Sequence, residues 1–276
     1  MTRITTLDVL NMKSNSSKFA MVTAYDYTSA QLADTAGIPV LLVGDSLGMV
    51  VMGHDSTIPV TTDDIIRHTQ MVVRGSKTSL IVSDLPFLTY QISRSQALSN
   101  AARLVQEGGC QSVKLEGGEH IAESVQSIVQ SGIPVMGHLG LTPQYVHTLG
   151  GFRTQGRTHA SAQKLINDAL CLEQAGVYAI VLELVPLELA GLITKKLTIP
   201  TIGIGAGPNC DGQVQVLHDL LGLFTDFTPK HSKQYAHLAQ TAVDALTAFA
   251  SEINSGAFPT EQNSSHLESA VFEQLS

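Results

Sequence analysis

The sequence has no tryptophan, and aromatic residues make up only 5% of its 276 positions. Its core therefore cannot rest on large rings. Small and β-branched aliphatic residues must fill it, as a parallel sheet covered on both faces requires. Charge is also scarce, with 14% Asp, Glu, Lys and Arg and a formal net charge of −8. That acidic balance argues against a nucleic-acid or anionic-membrane partner, so an anionic substrate would need a local cationic site. The cysteines are Cys110, Cys171 and Cys210. An odd count without metal-ligand spacing points to buried thiols in a reducing compartment. No apolar run reaches about 18 residues, the length needed to span a bilayer. The start, Met1-Thr2-Arg3-Ile4-Thr5-Thr6, lacks the apolar centre of a secretion signal. The expected location is cytoplasmic.

What is present is a repeated phrase. Hydrophobic residues supply 43% of the chain, ample for a large core, and α/β barrels commonly occupy about 250 residues as one unit. A helical segment closes on Gly, an Ile-Pro or similar pair comes next, and an apolar run then ends in Gly or an acid. Ala36-Gly37-Ile38-Pro39 and Ser131-Gly132-Ile133-Pro134 are two instances, and Gly108-Gly109, Ala175-Gly176 and Thr198-Ile199-Pro200 are variations. Gly supplies the left-handed residue that ends a helix, and Pro fixes the entry to the next strand. Helical apolar spacing marks 29–36, 63–75, 93–107, 119–130, 161–174 and 187–196. Thr61-Thr62-Asp63-Asp64, Ser93 and Ser161 are the candidate caps. Strands are expected near 19–24, 39–44, 80–84, 111–116, 133–138, 178–183 and 200–205. An eighth lies near 213–218 or 220–224, and it decides between a closed (β/α)8 TIM barrel and an open doubly wound sheet. Two longer connections, 48–59 and 140–158, come after strand C-termini, where the active face of a barrel lies. The barrel unit is expected over 1–255 and a polar tail over 256–276.

The strand ends carry the chemistry. Asp45 and Ser46 come just after the second strand, Asp84 ends the third, Lys114 and Glu116 lie on the fourth, His138 ends the fifth and Glu183 the sixth. Side chains alternate with period two, so Lys114 and Glu116 share a face, inward in a barrel. Taken singly, each residue has an ordinary reading. Asp45 or Asp84 reads equally as a helix cap, Glu116 as a solvated loop residue, Lys114 as a structural partner of Glu116, and His138 as a satisfied core histidine. Together, three carboxylates in one volume require a counter-charge. Oxygen-only ligands suit Mg2+, whereas zinc would want a second His or a Cys at a strand end. A divalent cation, a lysine, a histidine and a separate Glu183 in an apolar run suit enolate chemistry on an α-keto acid, with Glu183 as the base. Gly203-Ile204-Gly205-Ala206-Gly207 reads equally as an anion-binding loop or as close backbone packing. His68, Arg74 and Lys77 read as a solvated helix face, and Arg153 and Arg157 as loop residues able to meet an anion.

Several motifs resemble one family. Gly44-Asp45-Ser46-Leu47-Gly48, Asp84-Leu85-Pro86-Phe87, Val113-Lys114-Leu115-Glu116-Gly117-Gly118 and Gly137-His138-Leu139-Gly140-Leu141-Thr142-Pro143-Gln144 are similar to those of the ketopantoate hydroxymethyltransferases. So are Gly151-Phe152-Arg153, Gln155-Gly156-Arg157, Ile202-Gly203-Ile204-Gly205-Ala206-Gly207 and Cys210-Asp211-Gly212-Gln213. The resemblance runs from about Thr5 to Pro259. It implies a (β/α)8 barrel of the phosphoenolpyruvate/pyruvate type with C-terminal helices. The implied activity is transfer of a hydroxymethyl group from 5,10-methylenetetrahydrofolate to 3-methyl-2-oxobutanoate, in pantothenate and coenzyme A synthesis. It further implies one Mg2+ per subunit and a cytoplasmic homodecamer. Carried over by motif, Asp45, Asp84 and Glu116 resemble metal ligands. Asp45, Ser46, Asp84, Lys114 and His138 resemble the keto-acid contacts, and Glu183 the proton acceptor. A Mg2+-dependent 2-oxo acid aldolase or lyase on the same barrel is the nearest alternative. His231 departs from the family, which more usually has an aromatic or aliphatic residue there. Neither His231 nor the tail beyond Pro259 is expected to touch the site.

Overall fold

The computed structural model describes residues 2–275. Met1 and Ser276, the outermost residues of the two expected segments, lie outside the described residues. Eight parallel strands close into a barrel in sequence order: β1 (Phe19–Thr23), β2 (Val40–Val43), β3 (Leu80–Asp84), β4 (Ser112–Glu116), β5 (Val135–Gly140), β6 (Ala179–Glu183), β7 (Thr201–Ile204) and β8 (Gly212–Gln215). The eighth strand is therefore the earlier of the two candidates. It closes the ring through Phe19 opposite Gly212 and Ile202 opposite Gly212.

Seven helices of two turns or more accompany the strands: α1 (Thr6–Ser14), α2 (Tyr27–Thr35), α3 (Thr62–Gly75), α4 (Arg94–Arg103), α5 (Ala122–Gln130), α6 (His159–Ala175) and α7 (Leu187–Lys196). An eighth, α8 (Leu238–Ser255), comes after the barrel. Local signals start them where expected, with small shifts. Thr61 and Asp64 form a reciprocal capping box at α3, and Ser93 caps α4. At α6 the cap is Thr158, with Ser161 as its partner three residues on. α4 passes into a π-turn over Leu104–Gly108 before the strand. α1 lacked a clear periodic signal in the sequence. It closes the bottom of the barrel by burying Val9 among the inward side chains.

The strand faces divide the core in two. Met21, Leu42, Val82, Met136, Val181 and Val214 point into the barrel, while Leu41, Ile81, Leu115, Ile180 and Leu182 pack against the helices. One step beyond the inward layers, on the same phase, come Asp84, Lys114, Glu116, His138 and Glu183. Among the described residues the one helical piece between β8 and α8 is the turn Leu217–Leu220, and α8 buries none of its residues in its own chain. Among the described residues no helix is long and apolar enough to cross a membrane.

Asp34, at the end of α2, ties that helix to the loop entering β3. Its Oδ1 accepts from the Ser76 hydroxyl at 2.7 Å, from Thr78 N and Oγ1 at 2.9 Å each, and from Ser79 N and Oγ at 3.0 Å each. Burial opposes the charge, but the hydrogen bonds from Ser76, Thr78, Lys77 and Ser79 outweigh it and hold the carboxyl well below the usual range. Asp34→Ala should lower unfolding stability by about 2 kcal/mol at pH 7, from lost charge-assisted hydrogen bonds. Because the folded carboxyl is depressed, the difference from wild type should shrink as the pH falls below about 4, where the unfolded chain protonates. Denaturant unfolding at both pH values measures it.

Candidate active site

The convergent strand ends open into a cavity of about 520 Å3 lined by Asp45, Ser46, Asp84, Lys114, Glu116, His138 and Glu183 among others. All seven residues expected from the strand ends therefore share one space. Most are deeply buried: Asp45 is 4% exposed, Asp84 2%, Lys114 3%, Glu116 1% and His138 3%. Gly44 lets two of them meet. A Cβ there would lie 3.2 Å from Asp84 Oδ2, the atom that accepts the Asp45 backbone N–H at 3.0 Å. The capping alternative for Asp45 falls away, since its Oδ2 is held by Gln144 at 2.9 Å.

Lys114 pairs with Asp84, Nζ to Oδ1 at 2.6 Å, rather than with Glu116 as its structural reading had it. Register decides this: Asp84 lies opposite Lys114, and Glu116 opposite His138. His138 stands between two acids, with Nδ1 3.3 Å from Glu116 Oε1 and Nε2 3.2 Å from Glu183 Oε2. Burial and the Lys114 ammonium oppose its protonation, but contacts with Glu116 and Glu183 prevail and raise its pKa to about 9. Burial also works against the Lys114 charge, while Asp84, Glu116 and Asp45 together raise its pKa. Asp45 is pushed well above the carboxylate range by burial and by the charges of Asp84 and Glu116. Burial raises Asp84 too, against the pull of Lys114.

Four carboxylates thus face two cations, Lys114 and a protonated His138. With all four ionised the excess would be two negative charges, which a divalent cation would offset. Asp84 Oδ1 and Glu116 Oε1 are buried and held only by their ion pairs with Lys114 and His138, with no further hydrogen bond. Among the described residues no three His, Cys, Asp or Glu side chains form a ready-made metal cage. An octahedral ion that keeps waters and binds substrate oxygens needs only one or two protein carboxylates. Asp45 and Asp84 are the candidates to hold such an ion, with Glu116 close behind, and the oxygen-only donors fit Mg2+.

Residues that sequence reasoning missed hold this set in place. Gln144 donates from Nε2 to Asp45 Oδ2 and to Leu85 O at 3.0 Å, and its backbone N–H donates to Glu116 Oε2 at 3.1 Å. Tyr90 accepts from Glu116 N at 3.1 Å and donates to Gln144 Oε1 at 2.8 Å. Tyr25 and Ser46 share a hydroxyl hydrogen bond of 2.8 Å. Such neutral side chains carry no charge pattern, and only the Thr142-Pro143-Gln144 motif hinted at one of them. Both long connections reach the cavity, through Met49, Val50 and Thr57 and through Pro143, Phe152 and Thr154. Arg153 and Arg157 do not line it. His68 is no solvated residue, since its Nδ1 meets Tyr25 O. The glycine run serves close packing: a Cβ on Gly205 would lie 2.6 Å from Leu184, and one on Gly207 2.5 Å from Leu187. His231 corrects the reading that it stands clear of the site, since it lines the cavity and feels the Glu183 charge.

Removing Lys114 should leave Asp84 buried without its partner. Lys114→Met is expected to lower stability by about 3–5 kcal/mol, with part of the loss recovered in millimolar MgCl2. Denaturant unfolding with and without the salt reads both effects. An unchanged midpoint would mean that Lys114 does not offset the acids.

Comparison with known proteins agrees with the geometry. A family model described as ketopantoate hydroxymethyltransferase matches residues 3–261. A protein of Dehalococcoides mccartyi (strain CBDB1), named 3-methyl-2-oxobutanoate hydroxymethyltransferase, is 56% identical over 273 residues, covering 99% of this chain and 98% of its own. A protein of Chloroflexus aurantiacus (strain ATCC 29366 / DSM 635 / J-10-fl) with the same name is 58% identical over 268 residues, covering 97% and 95%. Among solved structures, a phosphonopyruvate hydrolase in complex with oxalate and Mg++ superposes with a TM-score of 0.62 at 12% identity, covering 99% of this chain and 95% of its own. A 2,3-dimethylmalate lyase, a member of the PEP mutase/isocitrate lyase superfamily, gives 0.58 at 14% identity, covering 98% and 94%. These two likenesses concern the fold alone.

Proposed function

This chain belongs to the ketopantoate hydroxymethyltransferase family, and on that basis we propose that it transfers a hydroxymethyl group from 5,10-methylenetetrahydrofolate to 3-methyl-2-oxobutanoate, forming 2-dehydropantoate through an enolate. The observation that carries the mechanism is the layout of the cavity. Asp45 comes just after β2, Asp84 lies on β3 and Lys114 on β4, and Glu183 enters from β6, with His138 bridging to it at 3.2 Å. An electrophilic side and a base therefore face the same space. The likeness to the 2,3-dimethylmalate lyase rests on fold alone, so the lyase alternative lacks comparable support.

The steps assigned to the protein are few. Lys114 and the Ser46 hydroxyl bind the substrate carboxylate and fix the plane of the keto acid. Glu183 takes the proton from C3, and the C–H electron pair passes into the carbonyl to give the enolate. Oε2 is engaged by His138, so Oε1 is the oxygen assigned to the proton. Asp45 and Asp84, with Glu116 in support, would hold Mg2+, which would supply Lewis-acid polarisation of the substrate oxygens. C3 then bonds to the methylene carbon as one of its two C–N bonds breaks, water bonds its oxygen to that carbon as the second breaks, and the two carrier nitrogens keep the electron pairs and take up the protons released from C3 and from water. His138, kept protonated between Glu116 and Glu183, holds the Glu183 carboxylate against the cavity wall. The cytoplasm is the assigned location. The assembly implied by the resemblance is a homodecamer, and the exposed α8 is the segment assigned to meet a second copy.

Solvent deuterium exchange at C3 of 3-methyl-2-oxobutanoate tests the base and the ion together. Wild type should exchange in the presence of Mg2+ and stop with EDTA. Glu183→Gln should bind the keto acid but slow exchange by roughly 100-fold or more. Wild-type exchange in that variant would refute Glu183 as the base. Sedimentation velocity of the full chain tests the decamer, and a species at monomer mass would refute it.

A further inference from the structure

The cavity has two chemically different halves, and the mechanism uses only one. A five-carbon keto acid at Asp84, Lys114 and Glu183 fills a fraction of about 520 Å3. The other half is walled by Val216, Phe224 and Phe227. Three polar groups lining the cavity have no hydrogen-bond partner. Asp219 is 6% exposed, lines the cavity, and its carboxylate makes no hydrogen bond or ion pair among the described residues. Thr57 Oγ1 and Gln215 Oε1 are buried and without partners, and both residues line the cavity. Buried polar atoms are nearly always satisfied, so two such atoms and an unpaired carboxylate lining one cavity call for a ligand. The mount is firm: Thr23 Oγ1 accepts the Leu217 N–H at 2.9 Å, fixing the turn that carries Asp219 just beyond β8. Burial alone raises the Asp219 carboxyl to about 6, as expected of an acid with no cation beside it.

We propose that Asp219 anchors the head ring of the one-carbon carrier, its carboxylate accepting two N–H bonds from a 2-amino-4-oxo pyrimidine edge while the fused ring lies against Phe224 and Phe227. The inference rests on the carrier reading given above and extends it to particular residues. The chemistry selects this ligand. The edge offers an amine and a ring N–H side by side, a cyclic relative of the guanidinium fork that carboxylates bind with two parallel hydrogen bonds. A flat ring suits an aromatic wall. Gln215 and Thr57 offer further polar contacts around the ring. The Tyr25 hydroxyl lies within electrostatic reach of both Asp219 and Asp45, so the two halves adjoin. A carrier held at Asp219 therefore presents its one-carbon unit toward the enolate.

Asp219→Asn keeps the shape but turns one acceptor into a donor. It should raise KM for 5,10-methylenetetrahydrofolate roughly 10- to 100-fold. KM for 3-methyl-2-oxobutanoate and the carrier-free C3 deuterium exchange should stay within about twofold, and that exchange also reports that the variant is folded. As a second measurement on the wild-type enzyme, 6-methyltetrahydropterin, which has the head ring but no benzoylglutamate, should inhibit competitively against the carrier. Wild-type turnover with an unchanged carrier KM in Asp219→Asn overturns this inference alone, as does a pterin that fails to compete. Equal losses in carrier KM and carrier-free exchange would place Asp219 in the keto-acid half and also overturn it. A wild-type enzyme that makes no carrier-dependent product overturns the carrier reading and the inference with it.

Discussion

The ion pair between Lys114 and Asp84, 2.6 Å long and almost wholly out of solvent, is the constraint to which the upper barrel conforms. Burying two charges costs several kcal/mol each, and attraction offsets that only where geometry is good and other polar groups are satisfied. Here the pair also sits among Asp45, Glu116 and Glu183, whose charges add repulsion. The apolar layers beneath carry the fold. Inward Leu42, Val82, Met136, Val181 and Val214 pack the barrel, and the strands are fixed by a closed ladder that needs nothing from the acids. The barrel can therefore hold at its rim an arrangement that would not be stable alone. That arrangement brings four carboxylates against two cationic side chains, a composition that suits a divalent ion.

Much of this was legible in the chain, and for a definite reason. A parallel barrel writes its strands as apolar runs and puts function where each run ends, so Asp45, Asp84, Glu116, His138 and Glu183 stood out as acids or bases closing such runs. Period two along β4 placed Lys114 with Glu116. What the period cannot give is the stagger between strands. Lys114 and Glu116 share a face but occupy different levels, and the β3–β4 register puts Asp84 beside the lysine. Pairing partners depend on registers set by loops and helix packing, not by either strand's own sequence.

Gln144, Tyr90 and Tyr25 were missed for a related reason. None is charged, and Gln144 and Tyr90 sit in loops whose path only the folded chain reveals. Each acts as a connector. Gln144 ties Asp45, Glu116 and the Leu85 carbonyl, so the 140–158 connection is fastened to acids from two strands at once. His231 escaped for the opposite reason. It lies far along the chain in a stretch without periodicity, and only its return over β7 brings it to the cavity.

The same connections would let one cavity serve the two proposed ligands of opposite character. The ionic half is built from strand ends, the most rigid part of the fold, and enolate chemistry needs donors held within a fraction of an ångström. The apolar half is built from the chain beyond β8, one short turn and the segment carrying Phe224 and Phe227. No eighth helix packs behind that segment in its own chain. A flat ring needs a wall more than fixed donors, and Asp219 supplies the fixed acceptor because Thr23 pins its turn. The strand ends thus carry the ionic groups, and the wall is left to the segment beyond β8. The polar groups without hydrogen-bond partners fall on both sides of that division. Asp84 Oδ1 and Glu116 Oε1, held only by ion pairs, lie on one side, and Gln215 Oε1 and the Asp219 carboxylate on the other. Each half is left unsatisfied in the way its own ligand would complete: an ion for the acids, and a ring edge of N–H donors for Asp219.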